Sequence, residues 1–284
     1  MTSIIRKTVS KPTSTIAGVG LHTGEHGSVR IVPAGWGDGI RFRRIGSSKE
    51  IAAVAANIDG TTRCTALKVD GAVLLTVEHL LSAISGTGIT DATVEFDAVE
   101  VPILDGSAQG FVAAIEEAGL ASGDDTVEPI RLSAPIVLTG PGGGIVTAVP
   151  SDHLWATVVL DYSDKPSMLP IAATFNGSNY VSDIASARTY GFVAELEYLA
   201  KMGLAKGASR ENAFALNDDG SADPTTPLRY PNEAARHKVL DLIGDLVLAG
   251  RPVCAGIVAL RPSHTLNTML AAELTKLAAG NQGE

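Results

Sequence analysis

Apolar residues in the first 75 positions fall in short alternating or β-branched runs, such as "SVRIV" (28–32) and "AVLLT" (72–76), separated by Gly and Asp. This period of two predicts strands over 15–33 and 39–73. The period then changes to that of a helix in "TVEHLLSAISG" (76–86), where Thr76 is the expected N-cap and Gly86 the expected stop. "TVEFD" (93–97) alternates as a strand, and "SAQGFVAAIEEAGL" predicts a helix from Ser107 to Gly119. The polar stretch "ASGDDTVEP" (Ala121–Pro129) reads as a linker, which places a boundary between residues 1–122 and 123–284.

The second segment repeats the order. "PIVLTGPGGGIVTAVP" predicts two strands about a glycine-rich hairpin turn, because "GPGGG" has neither the spacing nor the strand-to-helix setting of a phosphate loop. Strands follow in "LWATVVLDY" and "AATFN", then a helical insertion at "FVAELEYLAKMGL" (192–204). A long helix runs from Asn232 to Ala249, introduced by Pro231 and Asn232 and closed by Gly250 and Pro252. "VCAGIVAL" is a buried strand, and residues 263–280 form the last helix. The expected fold class is therefore α+β: two related units, each packing a helix pair on a sheet. No residue-level repeat accompanies this repeat of elements.

Within the long helix, "RHKVLDLIGDLVLAG" lines up His237, Asp241 and Asp245 at four-residue spacing on one stripe, beside the apolar Val239, Leu242, Ile243 and Leu246. His237 and Asp241 can hold one ion from one face, and His79, on the first helix of the other half, would complete a three-ligand set with an open position. One catalytic zinc ion is the expected cofactor, although iron accepts the same ligand types. Glu78 leaves its helix about 100° from His79, so its carboxylate can reach a water at the metal as general base, or equally be a glutamate favoured by the helix N-terminus. His264 starts the last helix, and pairing with Asp245 would favour its imidazolium. Gly244 leaves a bare backbone patch near His237, for substrate or for tight packing. The absence of H-E-x-x-H and of G-x-S-x-G disfavours a common metalloprotease and a serine hydrolase.

Composition narrows the classes further. In 284 residues with a formal net charge of -9, phosphate neutralisation is not available on the scale that nonspecific nucleic-acid binding needs. The basic cluster "RFRR" (41–44) reads as a solvated strand face. No apolar run approaches the length of a membrane span or of a secretory signal, so a cytoplasmic protein without stable membrane insertion is expected. Cys64 and Cys254 read as reduced thiols.

Six motifs carry a resemblance: "GVGLHTG" (18–24), "TVEHLLSAISGTGI" (76–89), "VPILDGSA" (101–108), "SARTYGF" (186–192), "RHKVLDLIGDL" (236–246) and "SHTLN" (263–267). Their order and spread over nearly the whole chain resemble the UDP-3-O-acyl-N-acetylglucosamine deacetylases. The resemblance implies zinc-dependent removal of acetate from UDP-3-O-(3-hydroxyacyl)-N-acetylglucosamine in lipid A biosynthesis of Gram-negative bacteria. It also implies a two-domain α/β sandwich with a small insert in each domain. By motif, His79, His237 and Asp241 correspond to the zinc ligands and Glu78 to the base. His264 corresponds to the histidine that steadies the oxyanion or protonates the leaving amine, Asp245 to its orienting carboxylate, and Thr189 to a hydroxyl beside the metal. Whether Glu78 alone or Glu78 with His264 moves the protons stays open. The resemblance further assigns Lys238 to the diphosphate side of the substrate, His22 to the active site, Glu195 to the sugar hydroxyls and Tyr162 to the uracil. The second insert, about 190–216, implies an acyl passage. Phe192, Leu196, Leu199 and Leu204 are candidates to line it, or equally local core. Tyr190 departs from the usual Phe and adds a hydroxyl beside the substrate. A small-molecule substrate is the implied partner and a monomer the expected state. Two other readings remain: a related metal-dependent amidohydrolase acting on another nucleotide sugar or acyl amide, and a noncatalytic protein stabilised by its metal.

Overall fold

The computed structural model describes residues 3–280, apart from 163, 164 and 166. The first half contains β1 (Ile4–Val9), β2 (Ile16–Val19), β3 (His26–Pro33), β4 (Ile40–Arg44) and β5 (Glu50–Ala52). An insert of β6 (Ile58–Gly60), β7 (Ala66–Val69) and β8 (Ala72–Leu74) precedes α1 (Glu78–Gly86), β9 (Ala92–Phe96), α2 (Gln109–Ala118) and β10 (Leu120–Val127). The second half contains β11 (Ile130–Arg131), β12 (Ile136–Thr139), β13 (Ile145–Pro150), β14 (Trp155–Leu160) and β15 (Ile171–Phe175). Its insert carries α3 (Tyr180–Asp183), β16 (Tyr190–Phe192), α4 (Leu196–Lys201) and β17 (Phe214–Leu216), and α5 (Glu233–Leu246), β18 (Val253–Leu260) and α6 (His264–Gly280) complete the chain.

The two main sheets have one topology. Their strand orders are β2-β3-β9-β4-β5 and β12-β13-β18-β14-β15, with β11 added beside β18. In the first, β9 runs antiparallel to β3 and parallel to β4. In the second, β18 runs antiparallel to β13 and parallel to β14. Each insert leaves the chain at the same point, between the fifth strand and the first helix. Pairing direction and crossover thus preserve a repeat that the residues themselves do not display.

The helices pack against each other, α1 on α5 and on α2, and α5 on α6. This layer and the two sheets share one continuous core, in which Val94, Phe96 and Leu81 of the first half join Ile257, Leu242 and Leu246 of the second. The fold is an α+β sandwich. At the α1–α5 crossing Gly244 is obligatory, since a Cβ there would lie 2.0 Å from the Glu78 carbonyl oxygen. Its bare patch serves helix packing.

Three local expectations change. The polar stretch read as a linker is mostly β10, which pairs antiparallel with β1 as a two-stranded ribbon. Its exposure leaves no apolar alternation to read, while Gly123 leaves room for the Trp36 ring, which an added Cβ would meet at 3.0 Å. Thr76 does not cap α1; it has φ +59 and its hydroxyl donates to Glu100 Oε1 at 2.7 Å. Asn232 precedes α5 without capping it, because its side chain is engaged by Arg236 Nε and by the Ala172 carbonyl. The "GPGGG" turn does join β12 and β13 as a hairpin. Arg43 on β4 pairs with Glu50 and Glu95, as a solvated face allows.

Candidate active site

The site forms where the first turn of α1 crosses the middle of α5. Helical period fixes the local part: His237 and Asp241 are four residues apart, and His237 Nε2 lies 3.3 Å from Asp241 Oδ1. The packing of α1 on α5 supplies the rest, bringing His79 Nε2 to 3.6 Å from the same oxygen. The two imidazoles meet edge to face, 4.9 Å between centroids. One ligand atom from each of the three residues lies within 4.8 Å of the others, and all three are buried. Asp241 Oδ1 has no hydrogen-bond partner among the described residues. An acceptor buried without a donor is costly unless something electropositive meets it. His237 Nδ1 faces the Ala187 carbonyl at 3.1 Å, which fixes the ring with Nε2 toward the cluster. Two imidazole nitrogens and one carboxylate oxygen are a ligand set that suits a catalytic zinc.

The electrostatics sort these groups. Burial pushes the His237 imidazole down to about 3, so it is neutral and free to donate a lone pair. Burial opposes ionisation of Asp241 as well, but the Lys238 ammonium against Oδ2 outweighs it and holds the carboxyl well below its usual range. Lys238 Nζ bonds Asp241 Oδ2 at 2.7 Å.

Glu78 stands at the start of α1, 2% exposed. Burial raises its pKa, against the opposing pull of His264 and His79. The Thr65 amide donates to Glu78 Oε2 at 3.0 Å, and Oε1 faces His264 Nε2 at 3.8 Å. His264 Nδ1 pairs with Asp245 Oδ2 at 3.0 Å. Burial would depress this imidazole, yet Asp245 and Glu78 raise it to about 9, leaving a cation opposite the Glu78 carboxyl. Asp245 is itself satisfied by Thr65 Oγ1 at 2.5 Å and Asn267 Nδ2 at 2.9 Å. Thr65 therefore holds both carboxylates, one through its amide and one through its hydroxyl. No motif flags it, because its partners lie 13 and 180 residues away.

The other expected residues surround this centre. Thr189 follows Ala187 and Arg188, and among the described residues its hydroxyl bonds none of the site side chains. The segment leading into β16 is anchored by buried Glu233, which accepts the Arg188 amide at 3.0 Å and the Arg188 guanidinium at 2.9 Å. The Tyr162 and Tyr190 hydroxyls hydrogen-bond to each other. Phe192 packs edge-on against Tyr162 at 4.9 Å, and Tyr190 stacks on Phe214. Tyr162 and Lys238 line a cavity of ≈ 180 Å³ with Arg261. Phe192 and Leu199 are buried, Leu204 is half-buried, and the Leu196 side chain lies outside the described residues. Glu195 is already occupied: Arg63 of the first insert bridges to it at 3.0 Å, an ion pair that joins the two inserts. His22 is buried, and among the described residues neither ring nitrogen has a hydrogen-bond partner in direct geometry. A larger cavity, ≈ 600 Å³, opens at the opposite ends of α1 and α5 and contains none of these side chains.

Residues 6–276 match the LpxC family, UDP-3-O-acyl N-acetylglycosamine deacetylase. The chain is 38% identical to the UDP-3-O-acyl-N-acetylglucosamine deacetylase of Saccharophagus degradans, over 96% of this chain and 91% of that protein. It is 36% identical to the protein of the same name from Geobacter sp. strain M21, over 93% of this chain and 87% of the relative. With that of Leptospira biflexa the identity is 36%, over 99% and 93%.

Proposed function

The chain belongs to the UDP-3-O-acyl N-acetylglycosamine deacetylase family, and from that premise we propose that it hydrolyses the 2-acetamido group of UDP-3-O-(3-hydroxyacyl)-N-acetylglucosamine, releasing acetate, in lipid A biosynthesis. The observation that carries the reading is the convergence of His79, His237 and Asp241 beside a buried Glu78 that faces a cationic His264. The first three would hold zinc. Bound there, the metal would supply Lewis acidity, acidifying a water and polarising the amide carbonyl.

The chain's own groups do the remaining work. Glu78, its Oε2 fixed by the Thr65 amide, presents Oε1 to accept the proton of the attacking water. Its raised pKa brings it closer to neutral pH than a free carboxylate, so the captured proton can be passed on to the leaving amine. His264, held cationic by Asp245, directs Nε2–H across from Glu78 and stabilises the oxyanion that develops as the amide carbon becomes tetrahedral. Thr189 contributes a hydroxyl to the same carbonyl. Lys238, Tyr162 and Tyr190 take the nucleotide side, and Phe192 with Leu199 the acyl side. Glu195 would reach the sugar only by sharing or releasing Arg63.

The same reading makes the two halves domains of common origin, divided after β10, and the protein a cytoplasmic monomer whose partner is its small-molecule substrate. Among the described residues no helix is long and apolar enough to cross a membrane. Acetate release from UDP-3-O-(3-hydroxymyristoyl)-N-acetylglucosamine by the purified protein tests the proposal, with Glu78→Ala alongside. Rapid release by the wild type alone supports it. A folded, zinc-loaded protein that releases no acetate sinks it.

A further inference from the structure

The loop between β2 and β3 contains "GLHTG", whose spacing the chemistry above leaves unexplained. Its centre of attraction is Glu100, 3% exposed. Glu100 Oε1 accepts the His22 amide at 2.9 Å and the Thr76 hydroxyl at 2.7 Å. Oε2 accepts the Thr23 amide and the Thr23 hydroxyl, each at 2.8 Å. Oε2 also lies 3.1 Å from the His22 amide. The loop is wound around this carboxylate. Any side chain at Gly20 would collide with it, a Cβ falling 2.4 Å from Glu100 Oε2, and Gly24 closes the turn at φ +71. Beyond the turn, the Lys206 amide donates to the His22 carbonyl at 3.3 Å and the Gly207 amide to the Leu21 carbonyl at 3.1 Å. The same loop therefore ties the second insert to the first half, while Thr76 ties Glu100 to the approach of α1, two residues before Glu78.

What this scaffold presents is the His22 imidazole. It is 7% exposed, and neither nitrogen has a protein partner among the described residues. Burial lowers its pKa, with Glu100 and the nearby Arg63 backbone opposing and the His264 and Arg63 charges pushing the same way, so the ring is neutral near pH 7 and offers one donor and one acceptor. A buried polar ring left without partners is expensive unless a ligand supplies them. We propose that Glu100 is a positioning residue of the deacetylase site, whose carboxylate winds the Gly20–Gly24 loop about itself and thereby fixes the His22 imidazole toward bound substrate. Glu100 touches neither substrate nor metal ligands; it acts through His22. The inference rests on the function proposed above.

A double-mutant cycle tests it. Glu100→Gln is isosteric but replaces one acceptor oxygen by an amide that confronts N–H and O–H donors. It is expected to lower kcat/KM by about a hundredfold, the usual cost of misplacing an active-site group by about 1 Å. In the His22→Ala background the same substitution should cost less than about twofold, because the group it positions is gone. Zinc content should be unchanged in both. If Glu100→Gln does not fold, Thr23→Val removes one hydroxyl from the same carboxylate and carries the same cycle, with an expected loss of about tenfold. Equal losses with and without His22 overturn the proposal, as does loss of zinc. Wild-type turnover separates the two levels: absence of any acetate release refutes the deacetylase reading itself. The His22 ring resonances of the substrate-free protein would then still report positioning, and they should move in Glu100→Gln and stay in a variant distant from the loop, such as Lys276→Ala.

Discussion

Gly244→Ala puts one methyl group into the contact that builds the site. An ideal Cβ at Gly244 would lie 2.0 Å from the Glu78 carbonyl oxygen, 2.9 Å from its carbon and 3.1 Å from the Ser82 amide nitrogen. These atoms are α1 backbone, so no rotamer change relieves them. To restore an ordinary contact the two helices must part by more than about 1 Å, and interiors packed at crystal density transmit such a shift rather than absorb it. Intrinsic propensity acts the other way, favouring Ala in a helix by about 1 kcal/mol. Overpacking against fixed backbone costs about 3 kcal/mol, the upper part of its usual range. The net expectation is a loss of about 2 kcal/mol, which lowers Tm by about 4–8 °C. Separation also carries Glu78 and His79 away from His237 and Asp241. A metal site tolerates about 0.2 Å in its ligand distances, so zinc affinity should fall by at least the ten- to hundredfold that disturbing a ligand's support produces. Thermal melting with and without zinc, and competition with a chelator, read the two effects separately. A variant that melts at the wild-type temperature and holds zinc as tightly would refute the claim that this crossing sets the ligand geometry.

Three further outcomes follow from the same contacts. Asp241→Ala should emerge from purification without zinc, whereas Glu78→Ala should retain it and lose turnover; metal analysis of both decides, and a zinc-free Glu78→Ala would reverse the assignment of roles. In the metal-free protein His264 should titrate near about 9 by NMR, and Asp245→Asn should lower that midpoint. Because the folded value is raised above the ordinary 6.5, this ion pair stabilises the fold fully below about 6.5 and progressively less as pH rises through about 9, so the stability deficit of Asp245→Asn should shrink over that interval. Thr65→Val removes the hydroxyl that donates to Asp245 Oδ1 and should cost about 1–3 kcal/mol in denaturant unfolding while the Thr65 amide still holds Glu78.

The helices and most strands were legible because their signals are local. Apolar period, terminal glycines and the "GPGGG" turn act within a few residues, and α5 and the β12–β13 hairpin formed where those signals placed them. Thr76 and β10 were misread for one reason: their partners are distant. Thr76 spends its hydroxyl on Glu100 instead of the helix end, and β10 takes its hydrogen bonds from β1, more than 110 residues earlier. Thr65, Asn267 and Glu100 were missed on the same ground, since a buried hydroxyl, amide or carboxylate is distinguished by the side chains that surround it in space.

Sequence alone determined the chemical types and half the ligand geometry: His237 and Asp241 share a stripe because 3.6 residues make a turn. Only the tertiary structure decided that His79 joins them from 158 residues before His237, across a helix crossing kept close by Gly244. It likewise decided that His264 is a cation and His237 is not. The two residues are the same type and burial depresses both; at His264 the carboxylates of Asp245 and Glu78 outweigh it, whereas at His237 the single carboxylate of Asp241 is opposed by His79 and Lys238, and burial prevails.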